Sequence, residues 1–128
     1  MEFNKQSEKS KDWKILDDFA IGIDKTNLVW GGEKIWDFTN LLPNSRKIKL
    51  FVRCESGGSE HDVVGSLILR TANDVAYFAY HSYDQAAWSF NSENIVLKLD
   101  DTKVLRVSTT SKMPAGNFGL SIKVIAHK

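Results

Sequence analysis

Apolar and polar residues alternate with a period of two along most of this chain, a pattern suited to strands with one face buried. In residues 47–54, Ile48, Leu50, Val52 and Cys54 alternate with Lys47, Lys49, Phe51 and Arg53. In 94–100, Ile95, Leu97 and Leu99 alternate with Val96 and Lys98. In 117–126, Phe118, Leu120, Ile122 and Val124 take one phase, while Gly119, Ser121 and Lys123 take the other. Successive side chains of a strand point to opposite faces, so each such set shares a face. Further short runs at 13–16, 27–30, 34–38, 65–71, 75–81, 86–90 and 103–109 are rich in β-branched and aromatic residues. Turn residues separate them: Gly31-Gly32, Ser56-Gly57-Gly58-Ser59, Asn73-Asp74, Asn91-Ser92 and Asp100-Asp101. Only residues 37–42 leave room for a turn of helix.

About eight to ten short strands at this spacing predict an all-β antiparallel sandwich of jelly-roll type, with a closed up-and-down barrel as the other arrangement open to them. Asn73-Asp74 predicts a tight hairpin over 65–81, and Asp100-Asp101-Thr102-Lys103 predicts another between Leu99 and Val104. Together with 86–90 these would form a meander. Residues 2–12 are polar apart from Phe3, and such a segment cannot offset its ordering entropy by burial. Residues 1–12 therefore read as a flexible polar leader, and 13–128 as a single β-sandwich domain.

Charge and cysteine content narrow the function classes. The chain has 17 basic and 16 acidic residues, a net charge of +1, which argues against a strong footprint for nucleic acid or an anionic membrane. No apolar run reaches the roughly 18 residues of a membrane span. The polar N-terminus lacks the apolar core of a secretory signal, which predicts a cytoplasmic chain. A single cysteine, Cys54, permits no internal disulfide.

No motif for catalysis stands out. His61, His81 and His127 have no metal-ligand spacing, so no metal or cofactor is expected. The paired carboxylates Asp17-Asp18 and Asp100-Asp101 would point to opposite faces in a strand, and they read as solvated turns. Cys54 falls on the buried phase, where a thiol behaves as a small hydrophobe. Neither a G-x-S-x-G elbow nor a phosphate-cradling glycine loop occurs. The expectation is a non-enzymatic protein; a hydrolase built from distant carboxylates such as Asp84 and Asp101 is the enzymatic alternative.

Aromatic residues carry the functional signal. Trp13, Trp30, Trp36 and Trp88 accompany Tyr77, Tyr80 and Tyr83. Most should pack in the core, because aromatic rings bury large areas. The segment from Tyr80 to Trp88, however, sets rings beside hydrogen-bonding groups around an inferred loop. Tyr80, His81, Tyr83, Asp84, Gln85 and Trp88 are the candidate ligand-binding residues there, suited to a sugar or peptide surface. The runs at 47–54 and 75–81 carry apolar residues in both phases, which marks Phe51 and Tyr77 as candidate contacts in a homo-oligomer.

The order of these signals resembles the small jelly-roll modules of bacteriophage tail fibres and other virion appendages. Trp13-Lys14-Ile15-Leu16 comes first. Ile35-Trp36-Asp37-Phe38-Thr39-Asn40-Leu41-Leu42-Pro43 follows, similar to a D-L-S-x-x-x-P signature. The run at 47–54, a glycine/serine loop, Leu67-Ile68-Leu69-Arg70 (similar to L-x-L-R) and the closing run Leu120-Ser121-Ile122-Lys123-Val124-Ile125-Ala126 complete it. The likeness covers most of 13–128. It implies a virion structural or receptor-binding module, usually homotrimeric, made in the host cytoplasm and carried on the particle. Its partners would be other virion proteins and a host-surface glycan. The alternative function is a free-standing carbohydrate-binding module of a bacterium, using the loop at 80–88.

Overall fold

The structure, a computed structural model, describes residues 13–17, 21–57, 63–82 and 88–128. Its strands are β1 (Lys14–Ile15), β2 (Gly22–Asp24), β3 (Glu33–Asp37), β4 (Lys47–Gly57), β5 (Val63–Arg70), β6 (Val75–Ser82), β7 (Trp88–Lys98), β8 (Val104–Thr109) and β9 (Phe118–His127). They form two antiparallel sheets packed as a β-sandwich. One sheet has the order β1-β9-β4-β7, with β2 also paired to β9; the other has the order β3-β8-β5-β6. No helix occurs among the described residues. Residues 37–42 contain one isolated helical hydrogen bond, from the Leu42 N–H to the Phe38 carbonyl at 2.8 Å.

The alternation read from the sequence sets the burial. Along β4 and β9 every second residue is buried without interruption. Leu50 and Val52 of β4, Leu67 and Leu69 of β5, and Leu105 and Val107 of β8 are fully enclosed between the sheets. Each such side chain contributes roughly 1.5–3 kcal/mol on transfer from water. At one end of the core, Trp30, Tyr80 and Phe118 meet edge to face, with centroids 5.7, 5.9 and 6.2 Å apart. Gly65 faces Tyr80 across the β5–β6 pair, and the tyrosine ring occupies the space a side chain there would need.

Several connections differ from the sequence expectation. Asn91 and Ser92 do not turn: β4 is long enough to pair both, with Cys54 and Arg53, so β7 runs through them unbroken. The Asp100–Lys103 turn makes no hairpin, because β7 and β8 belong to different sheets and the turn carries the chain across the sandwich. The chain also changes sheet between β6 and β7 and between β8 and β9, so no meander forms. The β5–β6 hairpin does form, but its loop is 71–74 and not the Asn73-Asp74 pair alone. Thr71 closes it, donating its N–H to the Asp74 carbonyl at 2.9 Å and accepting the Asp74 N–H on Oγ1 at 3.0 Å. Both turn residues keep negative φ; among described non-glycine residues, Lys103 alone has positive φ, at 56°. Residues 27–30 form a turn region, and the strand ahead of them is the three-residue β2, too short to show a period.

Candidate functional site

Of the residues expected around 80–88, the structure describes Tyr80, His81 and the backbone of Trp88. Tyr80 is 1% exposed, and its hydroxyl shares a hydrogen bond with Ser111 Oγ at 2.7 Å. A ring enclosed in this way presents no face to a ligand. His81 is half-buried on the outward phase of β6, opposite Val64. Tyr83, Asp84 and Gln85 lie outside the described residues, and the backbone of Trp88 opens β7 opposite Gly57. The leader at 1–12 also lies outside them.

Phe51 and Tyr77 occupy opposite outer faces of the sandwich. Phe51 is half-buried on the outside of the five-stranded sheet, between Lys123 and Asn94 by register. Tyr77 is 61% exposed on the outside of the four-stranded sheet, beside Ile68.

The outer face of the five-stranded sheet holds a groove that local sequence signals do not announce. Register aligns Asp24, Ser121, Arg53 and Ser92 in one row across β2, β9, β4 and β7. The next row holds Gly119, Glu55 and Phe90. Gly119 has no side chain, so the sheet dips there into an open trough of about 300 Å³, bordered by Asp24, Lys25, Arg53 and Glu55. A Cβ at Gly119 would come within 3.1 Å of Glu55 Cγ. Lys25 Nζ is fixed to the Phe118 carbonyl at 2.6 Å. Phe90, 60% exposed, lies beneath the Arg53 guanidinium, whose carbon is 4.7 Å from the ring centroid. Arg53 also contacts Glu55 Oε2 at 3.0 Å. Hydrogen bonds from the Thr26 hydroxyl and N–H hold the Asp24 carboxyl below its ordinary range, so it stays an anionic acceptor.

Chemically this is a shallow platform: one accessible ring, a forked donor, two carboxylates and the Ser121 hydroxyl. Sequence reading missed it because these residues belong to strand phases that look like ordinary solvent faces. The available signal was Gly119, a glycine inside a strand, which often marks a close approach to backbone.

Ser45 Oγ and His127 Nδ1 are 2.6 Å apart, joining the 42–45 turn to the end of β9, but Ser45 is 4% exposed. Burial, with a smaller contribution from the Glu55 charge, pushes the Cys54 thiol above its ordinary value. Among the described residues no three His, Cys, Asp or Glu side chains cluster as metal ligands. Among the described residues no helix is long and apolar enough to cross a membrane. No family model matches this sequence, and no curated protein matches it.

Proposed function

We propose that this protein is a non-catalytic attachment module that holds carbohydrate on the outer face of its five-stranded sheet. The observation that carries this reading is the exposed Phe90 ring stacked under Arg53 at the edge of the Gly119 trough. An aromatic ring covers the apolar face of a sugar, while Arg53, Glu55, Asp24 and Ser121 fix the orientation of its hydroxyls. The trough is open, which suits a chain lying across it better than a small molecule enclosed by it.

In this reading the strand order is a jelly-roll winding, in keeping with the likeness to virion appendages. The module would sit on a phage particle and bind a host-surface glycan. It would self-associate, with a trimer as the favoured assembly. Support for self-association comes from Ile35, Val75 and Tyr77, each about half exposed or more on the outer face of the four-stranded sheet.

A bacterial-surface glycan array tests the binding. Wild-type protein should bind at least one glycan class, and Phe90→Ala should weaken that binding by about tenfold or more while moving stability by less than about 1 kcal/mol. An array with no binding, or binding that Phe90→Ala and Arg53→Ala leave unchanged, overturns the reading.

A further inference from the structure

Resting on that reading of the face, we infer that the ligand is an acidic oligosaccharide, its carboxylate or sulfate groups held by a lysine cluster adjoining the trough. Three successive rows of the five-stranded sheet carry the cluster. In the first, Lys128 and Lys47 exchange backbone hydrogen bonds at 2.8 and 3.0 Å, and Lys47 is in register with Lys98. In the second, Lys49 lies between Ala126 and Val96; in the third, Phe51 lies between Lys123 and Asn94. Among the described residues these rows carry five lysine side chains and no acidic side chain, and Asp74 of the 71–74 loop reaches the edge of the first row, where its Oδ2 accepts the Lys98 N–H at 2.6 Å. With strands about 4.8 Å apart and alternate residues about 6.8 Å apart, the Cα atoms of these lysines fall within a patch of roughly 10 by 14 Å.

Like charges directly opposite across a strand pair destabilise it. Here Lys47 has a lysine on each side. The net charge of +1 conceals this sorting, because a sum takes no account of placement. Aromatic residues lie among the amines: Lys49 Nζ and Lys128 Nζ sit 4.9 and 5.1 Å from the centroid of the Trp13 ring. A bare inorganic anion would have no use for Trp13 and Phe51, whereas a sugar ring would.

Single-stranded nucleic acid also offers anions and flat rings. Its evenly charged backbone, continued along this face, would leave the amines for two rows in which Arg53 and Lys25 are offset by Asp24 and Glu55. An oligosaccharide with acidic groups at one end and neutral hydroxyls at the other meets first the amines and then this charge-balanced face.

The test compares the full chain binding to an oligosaccharide sulfated at one end, an oligosaccharide ending in a uronic acid, a neutral oligosaccharide and single-stranded DNA, at low and high salt. The expected result is salt-sensitive binding to an acidic glycan, weakened about tenfold or more by Lys47→Glu, whose new carboxylate lies between Lys128 and Lys98. Phe90→Ala should weaken the same binding. Neutral-glycan binding that is indifferent to Lys47→Glu overturns this inference and leaves the carbohydrate reading standing. Preferred binding to DNA overturns the glycan as occupant. No binding to any of the four overturns both. Because Lys47→Glu could unfold the chain, Lys98→Gln, at an exposed strand end, serves as the second variant and should lower acidic-glycan affinity with an unchanged melting curve.

Discussion

His127 shows how one side chain can couple strand closure to pH. Its Nδ1 meets Ser45 Oγ, and the Ser45 carbonyl accepts the amine of Lys103, which is only 8% exposed. Burial first, and the nearby Lys14 charge second, push the His127 imidazole below its ordinary value of 6.5. The unfolded chain takes up a proton near pH 6.5, while the folded chain resists it until the pH is lower. Just below 6.5 the unfolded state therefore binds more protons, and stability rises with pH in that window. The stabilisation is fully present above 6.5 and is lost as the pH falls toward the folded value. Urea midpoints between about pH 7.5 and pH 5 should fall more steeply in the wild type than in His127→Asn. Equal slopes would remove His127 as the cause. Tyr80 offers a second check: Tyr80→Phe keeps the ring and loses the hydroxyl bond to Ser111, so it should cost about 1 kcal/mol in chemical denaturation. The buried phases of β4 and β9 were legible in the sequence because alternation is a local property. The core position of Tyr80 was not legible in the sequence, which placed it among the ligand-binding candidates, since Gly65, Trp30 and Phe118 reach it from distant parts of the chain.

Strand ends are held by a repeated local device. Asp24-Lys25-Thr26, Asp37-Phe38-Thr39 and Asp100-Asp101-Thr102 each turn the chain as it leaves a strand. In each, the Asp carboxylate accepts the N–H of the threonine two residues on, at 2.9, 2.8 and 3.0 Å, and its hydroxyl as well. These bonds favour the charged form and hold all three carboxyls below their ordinary 3.8, the threonine hydroxyl acting first. A depressed folded value means that the contribution is present above pH 3.8 and lost as the pH falls below it. NMR titration should find the three carboxyls low, and Thr39→Val should move the Asp37 carboxyl upward while leaving Asp24 and Asp100 in place. Of the three, the sequence reading marked only the turn at Asp100-Asp101, and not where it leads. Turn chemistry looks alike whether the next strand pairs in the same sheet, as after β5, or crosses to the other, as after β7. The same locality hid the trough, since Asp24, Ser121 and Arg53 become neighbours only through the β2–β9–β4 register. Gly65 ties pairing to packing. A Cβ there would lie 2.4 Å from the ring and hydroxyl of Tyr80, and the ring is backed by Trp30 and Phe118. Gly65→Ala should therefore cost roughly 1–3 kcal/mol, read from denaturation midpoints.

The two broad faces of the sandwich differ in what they can meet, and this bears on assembly. Phe51 and Tyr77 cannot both be buried in one isologous contact, because they lie on opposite outsides. If both faces were used by copies of the chain, each copy would stack on the next and the array would not close into a ring. The lysine rows around Phe51 would repel a second copy of themselves, so that face is a poor seat for a symmetric contact between copies. The outside of the four-stranded sheet carries a lesser bar, Arg70 opposite Arg106. There Tyr77 lies beside Ile68 by register, and the neighbouring row holds Ile35, Arg106, Arg70 and Val75. Arg106 is paired with Glu33 at 2.7 Å, which lowers the charge presented to a neighbour. Self-association should therefore run through Tyr77. In light scattering over a concentration series, the wild type should exceed the monomer mass of 14.5 kDa, and Tyr77→Lys should return it to that mass. Phe51→Ser should leave the association intact, because the face it alters is not the one buried. High salt should strengthen association slightly by screening Arg70 and Arg106, the opposite of its effect on acidic-glycan binding. A wild type that stays at 14.5 kDa at every concentration would exclude self-association, while the carbohydrate site on the other face would stand or fall on its own binding data.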